Sequence, residues 1–356
     1  MRIPAGETAL AVMLVAGFLL CCTPSRPHAS GERIRVVPNE PARRVDISID
    51  GQPFTSYIWP ETLAKPVLYP LRTAGGIVVT RGYPLEPRAG ERSDHPHHAG
   101  LWFNYGSVNG IDFWNNSDAI KPEDRRKMGT VVQRKIAAAR SGAEQGELEV
   151  ETDWVTAEQK VLLKERTLLI FRGGPTFRSI DRITTLQAQG GKVVFEDDKE
   201  GLLGMRVTRA LEMPSDKPEV FLDANGRPTT VAKMDNTGVN GVYLTSEGKT
   251  GDAAWGTRGR WCNLSGRVEG QPVTITIFDN PGNPNFPAYW HARGYGLFAA
   301  NPFGRKIFTG GKEEALNFSL AAKQSVAFRY RVLISSEIAS PETTELEYQR
   351  FVAAYH

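Results

Sequence analysis

The sequence predicts an all-β protein: a large antiparallel β-sandwich with one short C-terminal helix. Three observations carry that expectation. Short runs of β-branched and aromatic residues recur along the chain with turn residues between them. Gly 35 and Pro 23 supply the punctuation that many short elements need. Only one segment, at the very end, carries a clear helix start. A chain of 356 residues suffices for two modest domains or one large sandwich. No linker divides its body, so a single domain over residues 33–356 is expected.

The first segment reads as an address. Residues 9–22 (ALAVMLVAGFLLCC) are apolar and uncharged. A membrane span needs about 20 such residues, so the run has the length of a signal-peptide core. Leu19-Leu20-Cys21-Cys22 resembles a bacterial lipobox, which makes Cys22 the expected lipidation site; plain secretory cleavage is the alternative. Residues 1–22 are assigned to export and the polar, Pro-bearing residues 23–32 to a tether. The mature chain is then a periplasmic or cell-envelope lipoprotein, or secreted if it is not lipidated. It meets a membrane only through the lipid.

The strands follow in order. Arg44–Ile49 alternates, and Asp50-Gly51 turns it into Pro53–Trp59. Val131–Ala139, Leu148–Val155 and Val161–Phe171 come next. Phe177–Leu186 alternates polar and apolar residues as a half-buried strand does. Lys192–Glu196, Leu203–Leu211, Val273–Phe278, Gly296–Ala299 and Val326–Ile334 complete the set. Gly190-Gly191, Asn263–Gly266 and Gly310-Gly311 read as breaks. For the terminal helix, Ser340 caps, Pro341 suits the first turn, and Leu346, Tyr348 and Phe351 partly line one side. A galactose-mutarotase-like supersandwich is one form such a fold takes.

Charge and cysteine exclude several functions. The formal charge is +3 without a basic run, which argues against nucleic acid as a partner. Of three cysteines, Cys21 and Cys22 lie in the export segment, so neither a disulfide scaffold nor a cysteine-rich zinc site is available. Cys262 reads as a small buried hydrophobe.

Chemistry concentrates in Asp94-His95-Pro96-His97-His98. Three of the chain's six histidines fall within four residues. If the segment is extended, His95 and His97 share one face and His98 takes the other. Pro96 lacks an N–H and keeps the segment at an edge or in a loop. Imidazole moves protons near neutral pH and ligates metals, so His95, His97 and His98 are candidate catalytic groups. Asp94, His95 and His97 are a candidate ligand set for one divalent metal ion. A surface histidine cluster is the plain alternative. The following tract, GLWFNYGSVNGIDFWNNSD, mixes rings with amides and carboxylates, as sugar recognition requires. Trp102, Asn104, Asp112 and Trp114 are candidate substrate contacts, against a core tract with Asn in turns.

A second cluster lies in NPNFPAYWHARGYGLFAANPFGR. Here His291 and Arg293 are candidate catalytic groups and Trp290 a substrate contact. Arg293 suits a carboxylate, an enolate or a hydroxyl; a structural salt bridge is its alternative. Between the clusters, Glu196–Gly201 reads as a solvated acidic hairpin tip. Glu200 and Arg206 are the members expected near a site, and Arg206 is a further candidate substrate contact.

The runs DHPHHAGLWFNYGSVNGIDFWN, KEGLLGMRV and YGLFAANPFG resemble a bacterial family of unknown function often labelled after a methane oxygenase subunit, PmoA. The resemblance covers roughly residues 45–335. Its signature falls on Asp94, His95, His97, His98, Asn104, Asp112, Arg206 and Arg293. It implies an exported β protein with a link to sugars. The label does not suit this chain, because a membrane oxygenase subunit needs several spanning helices.

The expected function is an exported carbohydrate-active enzyme, a lyase or hydrolase on a glycoside or oxidised sugar, with a small-molecule or oligosaccharide substrate. One of His95 or His97 abstracts a proton, the other donates one or binds metal, and Arg293 stabilises negative charge. The rival is a non-catalytic glycan-binding surface lipoprotein. Nothing in the pattern sets an oligomeric state.

Overall fold

Alternation of buried and exposed side chains organises the chain into two eight-stranded antiparallel sheets. The computed structural model describes residues 1–2, 32–232 and 234–355. The export and tether assignments, including Cys22, therefore lie outside the described residues. Glu32–His356 forms one compact unit. Among the described residues no helix is long and apolar enough to cross a membrane.

The strands that run up to the histidine motif are β1 (Ile34–Asn39), β2 (Arg44–Ile49), β3 (Gln52–Ile58), β4 (Val67–Leu68) and β5 (Leu101–Tyr105). Four long strands follow: β6 (Thr130–Arg140), β7 (Gly146–Val155), β8 (Val161–Gly173) and β9 (Phe177–Ala188). Short elements come next: β10 (Val193–Phe195), β11 (Gly201–Arg206), β12 (Glu219–Leu222), β13 (Pro228–Val231) and β14 (Val242–Thr245). The chain then runs through β15 (Trp261–Val268), β16 (Gln271–Asp279), β17 (Tyr289–Arg293) and β18 (Leu297–Asn301). A short helix α1 (Arg305–Phe308), β19 (Phe318–Leu320), β20 (Ser325–Ser335) and the terminal helix α2 (Pro341–Ala353) complete it.

The first sheet has the order β1-β2-β3-β4-β5-β11-β18-β17. The second has the order β14-β15-β16-β20-β9-β8-β7-β6. Their facing sides bury one shared core, which includes Phe103, Leu203, Met205 and Phe298 from the first sheet and Ile275, Ile277, Phe328 and Val332 from the second. Helix α2 is capped as expected, with the Ser340 side chain accepting from the Thr343 N–H. It lays Tyr348 and Phe351 on Trp261 and Phe278 of the second sheet's outer face. Leu346 is exposed, so it does not share that buried stripe.

The all-β expectation holds, and the differences from it are local. Asn263–Gly266 is not a break but the middle of β15, because Asn263 finds buried partners in Thr344 and Thr276. Two tracts read for their chemistry, around Trp102 and His291, are strands β5 and β17. The histidine motif is not extended. It is a turn with His95 at φ 44°, entered just ahead of β5.

Candidate active site

The site grows out of the outer face of the first sheet. Side chains alternate across a strand, so neighbours in sequence take opposite faces. Phe103, Leu203, Ala300 and Trp290 fall in one cross-strand row that faces the core. Trp102, Gly204, Ala299 and His291 form the adjacent row, which faces outward. Arg206, Leu297 and Arg293 lie in the next outward row. The two sequence clusters, on β5 and β17, therefore share one face, about 14 Å apart across three strand spacings. Small residues between them leave room: a Cβ on Gly204 would meet Trp102 and Trp114 at 2.7 Å.

Buried Arg81 builds the histidine turn. Its guanidinium donates to Asp94 Oδ1 (2.6 Å) and to the carbonyls of Asp94 (2.9 Å), His95 (3.0 Å) and His98 (3.1 Å). Buried Arg206 adds a second bond to Asp94 Oδ1, at 2.6 Å. Gly100 closes the turn at φ 60°, with its Cβ position 2.3 Å from the Leu68 carbonyl oxygen, so no side chain fits there. Burial opposes charge on Asp94, but its bond to His95 and the two guanidiniums prevail and hold its pKa well below the usual carboxylate range.

Asp94 Oδ2 accepts from His95 Nδ1 at 2.8 Å. This orients an imidazole that is 41% exposed, the one histidine of the turn that reaches solvent. The His95 ring stacks on Tyr295 (5.3 Å between centroids) and on His98 (4.8 Å). His98 stacks in turn on Trp102 at 5.3 Å.

The other described imidazoles, those of His97, His98 and His291, are buried and neutral. His98 Nε2 accepts from the Trp114 indole N–H (3.1 Å), and its Nδ1 lies 3.3 Å from the Arg206 guanidinium. Burial, with His97 and Arg206 beside it, holds its pKa well below 6.5. Burial and the nearby Lys65 lower His97 likewise. Burial, with Arg293 and Lys199, lowers His291 to about 3. Glu200 Oε2 lies 3.8 Å from His291 Nδ1, a proximity and not an ion pair, since that imidazole is uncharged.

Several expected roles are corrected. His98 is buried with Nε2 accepting from Trp114, so it positions the turn and does not shuttle protons. Asp94 has both carboxylate oxygens engaged, and among the described residues no three His, Cys, Asp or Glu side chains are placed to hold a metal ion. The Asp94, His95 and His97 set does not fit a metal. Trp102, Asn104 and Trp114 are fully buried and underlie the site without offering a surface to a substrate. Trp290 faces the core. Asp112 spends its carboxylate on the Trp114 and Asn115 N–H groups and the Asn115 amide. Arg206 is fully buried and holds Asp94. The acidic segment is no free hairpin tip: Asp197 accepts from Lys306 and Ile307 at the start of α1.

Sequence reasoning missed Arg81, Lys65 and Tyr295. Lys65 is buried, donates to the His97 carbonyl (2.7 Å) and sits over the Trp102 ring (5.2 Å). Burial lowers its pKa to about 7. Isolated Lys and Arg residues carry no local signal; Tyr295 lay inside the second cluster, next to Arg293. Tyr295 joins the clusters, with its ring 5.3 Å from His95, 4.8 Å from the Arg206 guanidinium and 5.9 Å from that of Arg293.

Buried polar atoms on this face lack protein partners among the described residues: His97 Nε2, Trp102 Nε1, Asn104 Oδ1 and His291 Nδ1. Each such atom costs about 1–3 kcal/mol, so a cluster of them calls for an explanation. A cleft of about 630 Å³ opens beside Arg293 and Tyr295. A larger cavity of about 750 Å³, near Arg209 and Arg267, holds none of these groups.

A model of the family described as "Family of unknown function (DUF6807)" matches residues 44–349. No curated protein matches the chain. Among solved structures it is similar to the GH36 α-galactosidase AgaB of Geobacillus stearothermophilus, at 11% identity and a TM-score of 0.36, over 85% of this chain and 41% of that one. The chain thus spans about two fifths of that enzyme's length. It is similar to the Slr1438 protein of Synechocystis sp. PCC 6803, at 9% identity and a TM-score of 0.33, over 91% and 100% of the two chains. A putative aldose 1-epimerase of Escherichia coli K12 matches at 10% identity and a TM-score of 0.29, over 85% and 99%.

Proposed function

We propose that this chain, which belongs to the family of unknown function DUF6807, is a carbohydrate-active enzyme whose chemistry is proton transfer on the outer face of its first sheet. The observation that carries this reading is the Asp94–His95 dyad, exposed above buried polar atoms without partners. His95 has Nδ1 anchored and Nε2 left to take a proton, from a sugar carbon in a lyase or from the attacking water in a hydrolase, and return it to the departing oxygen. Arg293 lies one ring away to meet negative charge as it develops. His97, His98 and His291 stay neutral and shape the floor.

The purified chain is assayed on a panel of glycosides and oligosaccharides. His95→Gln is expected to lower turnover by about 10²–10⁴-fold with an unchanged melting temperature. Undiminished turnover sinks the role of His95. Sugar binding without turnover by the wild-type chain favours the rival reading as a glycan-binding module. One observation weighs against that rival: Trp102, Trp114 and Trp290 are buried and form no open aromatic platform. Export with lipidation at Cys22 is proposed on the apolar run alone. Cys22→Ser releases the chain from the membrane fraction, and unaltered fractionation rejects the anchor.

A further inference from the structure

Arginine pairing separates one residue from the rest. Arg81, Arg92, Arg206 and Arg209 each hold a carboxylate within 2.7 Å. Arg293, on the same side of the molecule, has no carboxylate within ion-pair distance among the described residues. Its guanidinium lies over two aromatic rings, Trp255 at 5.4 Å and Tyr295 at 5.9 Å. All three line the cleft of about 630 Å³. Asp252 lines it too, but is exposed and out of ion-pair reach of Arg293.

A second observation points to a ligand. Trp255 Nε1 is buried and has no hydrogen-bond partner among the described residues. An indole N–H only donates, and a guanidinium only donates. A cleft that offers a cation without a carboxylate partner and an unpaired N–H donor suits a ligand with an oxyanion. A planar guanidinium matches a carboxylate with two parallel hydrogen bonds.

We propose that this cleft selects an acidic sugar. Arg293 binds the exocyclic carboxylate of a hexuronic acid, the Trp255 N–H donates to the same ligand, and the Tyr295 ring sets the sugar beside His95. The proposal rests on the reading of the face as a sugar site and names its substrate class.

Calorimetric titration of the full chain with galacturonate and glucuronate, against galactose and glucose, tests it. A sulfated galactose forms a third arm. The uronates are expected to bind about 10- to 100-fold more tightly than their neutral parents, the range a charge-assisted hydrogen bond gives. Arg293→Gln removes that preference and Arg293→Lys retains part of it. Unfolding curves of each variant confirm that it is folded. Equal affinity for neutral and acidic sugars, or a preference that survives Arg293→Gln, overturns the acidic subsite and leaves the sugar site standing. A preference for the sulfated sugar over the uronates overturns the carboxylate assignment. Binding of none of these probes overturns both readings.

Discussion

The outer faces of the two sheets both bury charge, and they satisfy it differently. On the second sheet, Asp181 accepts from Arg331 Nε (2.5 Å) and Nη2 (2.7 Å), from Arg172 (2.6 Å) and from the Tyr355 hydroxyl (2.6 Å). Helix α2 covers this network, and none of its four side chains has a buried polar atom without a partner. On the first sheet, Asp94 is held as firmly by Arg81 and Arg206. Around it, though, Arg81 Nε, Arg206 Nε, His97 Nε2 and Trp102 Nε1 go unpaired among the described residues. A complete network stabilises a fold. An incomplete one, with an exposed imidazole at its rim, is what the proposed site rests on.

Substitutions at the two aspartates test that contrast most severely. Asp94→Asn weakens the anchor of His95 and is expected to cost turnover about 10²–10⁴-fold, as loss of an oriented proton shuttle does. Asp181→Asn is expected to leave turnover unchanged, and equal losses from both would erase the distinction. Asp181→Ala leaves the Arg331 guanidinium buried without its carboxylate and is expected to cost about 3–5 kcal/mol in urea unfolding. A cost below about 1 kcal/mol means that the network is not structural.

The smallest effect is one histidine's share of the pH response. Folding lowers the pKa of His97, His98 and His291 below 6.5, so below that pH the unfolded chain takes up protons that the folded chain refuses. The stability linked to these neutral imidazoles is complete above pH 6.5 and is lost as pH falls from there toward the depressed folded values. Each contributes about a tenfold change in the folding constant per pH unit in that window. Unfolding midpoints near pH 7.5 and near pH 5.5 measure the slope, and His291→Gln is expected to flatten it by about a third. Equal stability at both pH values contradicts the assignment of three buried neutral histidines.

Much of this was legible in the chain. The alternation of Arg44–Ile49 and Phe177–Leu186, and the Ser340-Pro341 start of α2, depend on neighbours within a few residues, and the strands and helix formed where they were expected. The histidine turn and the His291–Arg293 pair were both found, because rare residue types stood close together. Their roles were partly misread. Trp290 and His291 are adjacent, and only the strand register decides that the first enters the core and the second the outer face. Asp112 looked like a ligand group until the turn that it closes was seen.

The sequence by itself determined the all-β class, the terminal helix and the two tracts that form the candidate site, since these follow from local periodicity and composition. Tertiary structure alone decided that His95 is exposed and His98 sealed, that Arg81 and Lys65 belong to the site, and that Tyr295 bridges clusters nearly two hundred residues apart. Burial, donor geometry and unpaired atoms are properties of contacts made when β5, β11, β18 and β17 assemble, and no window of the chain contains them.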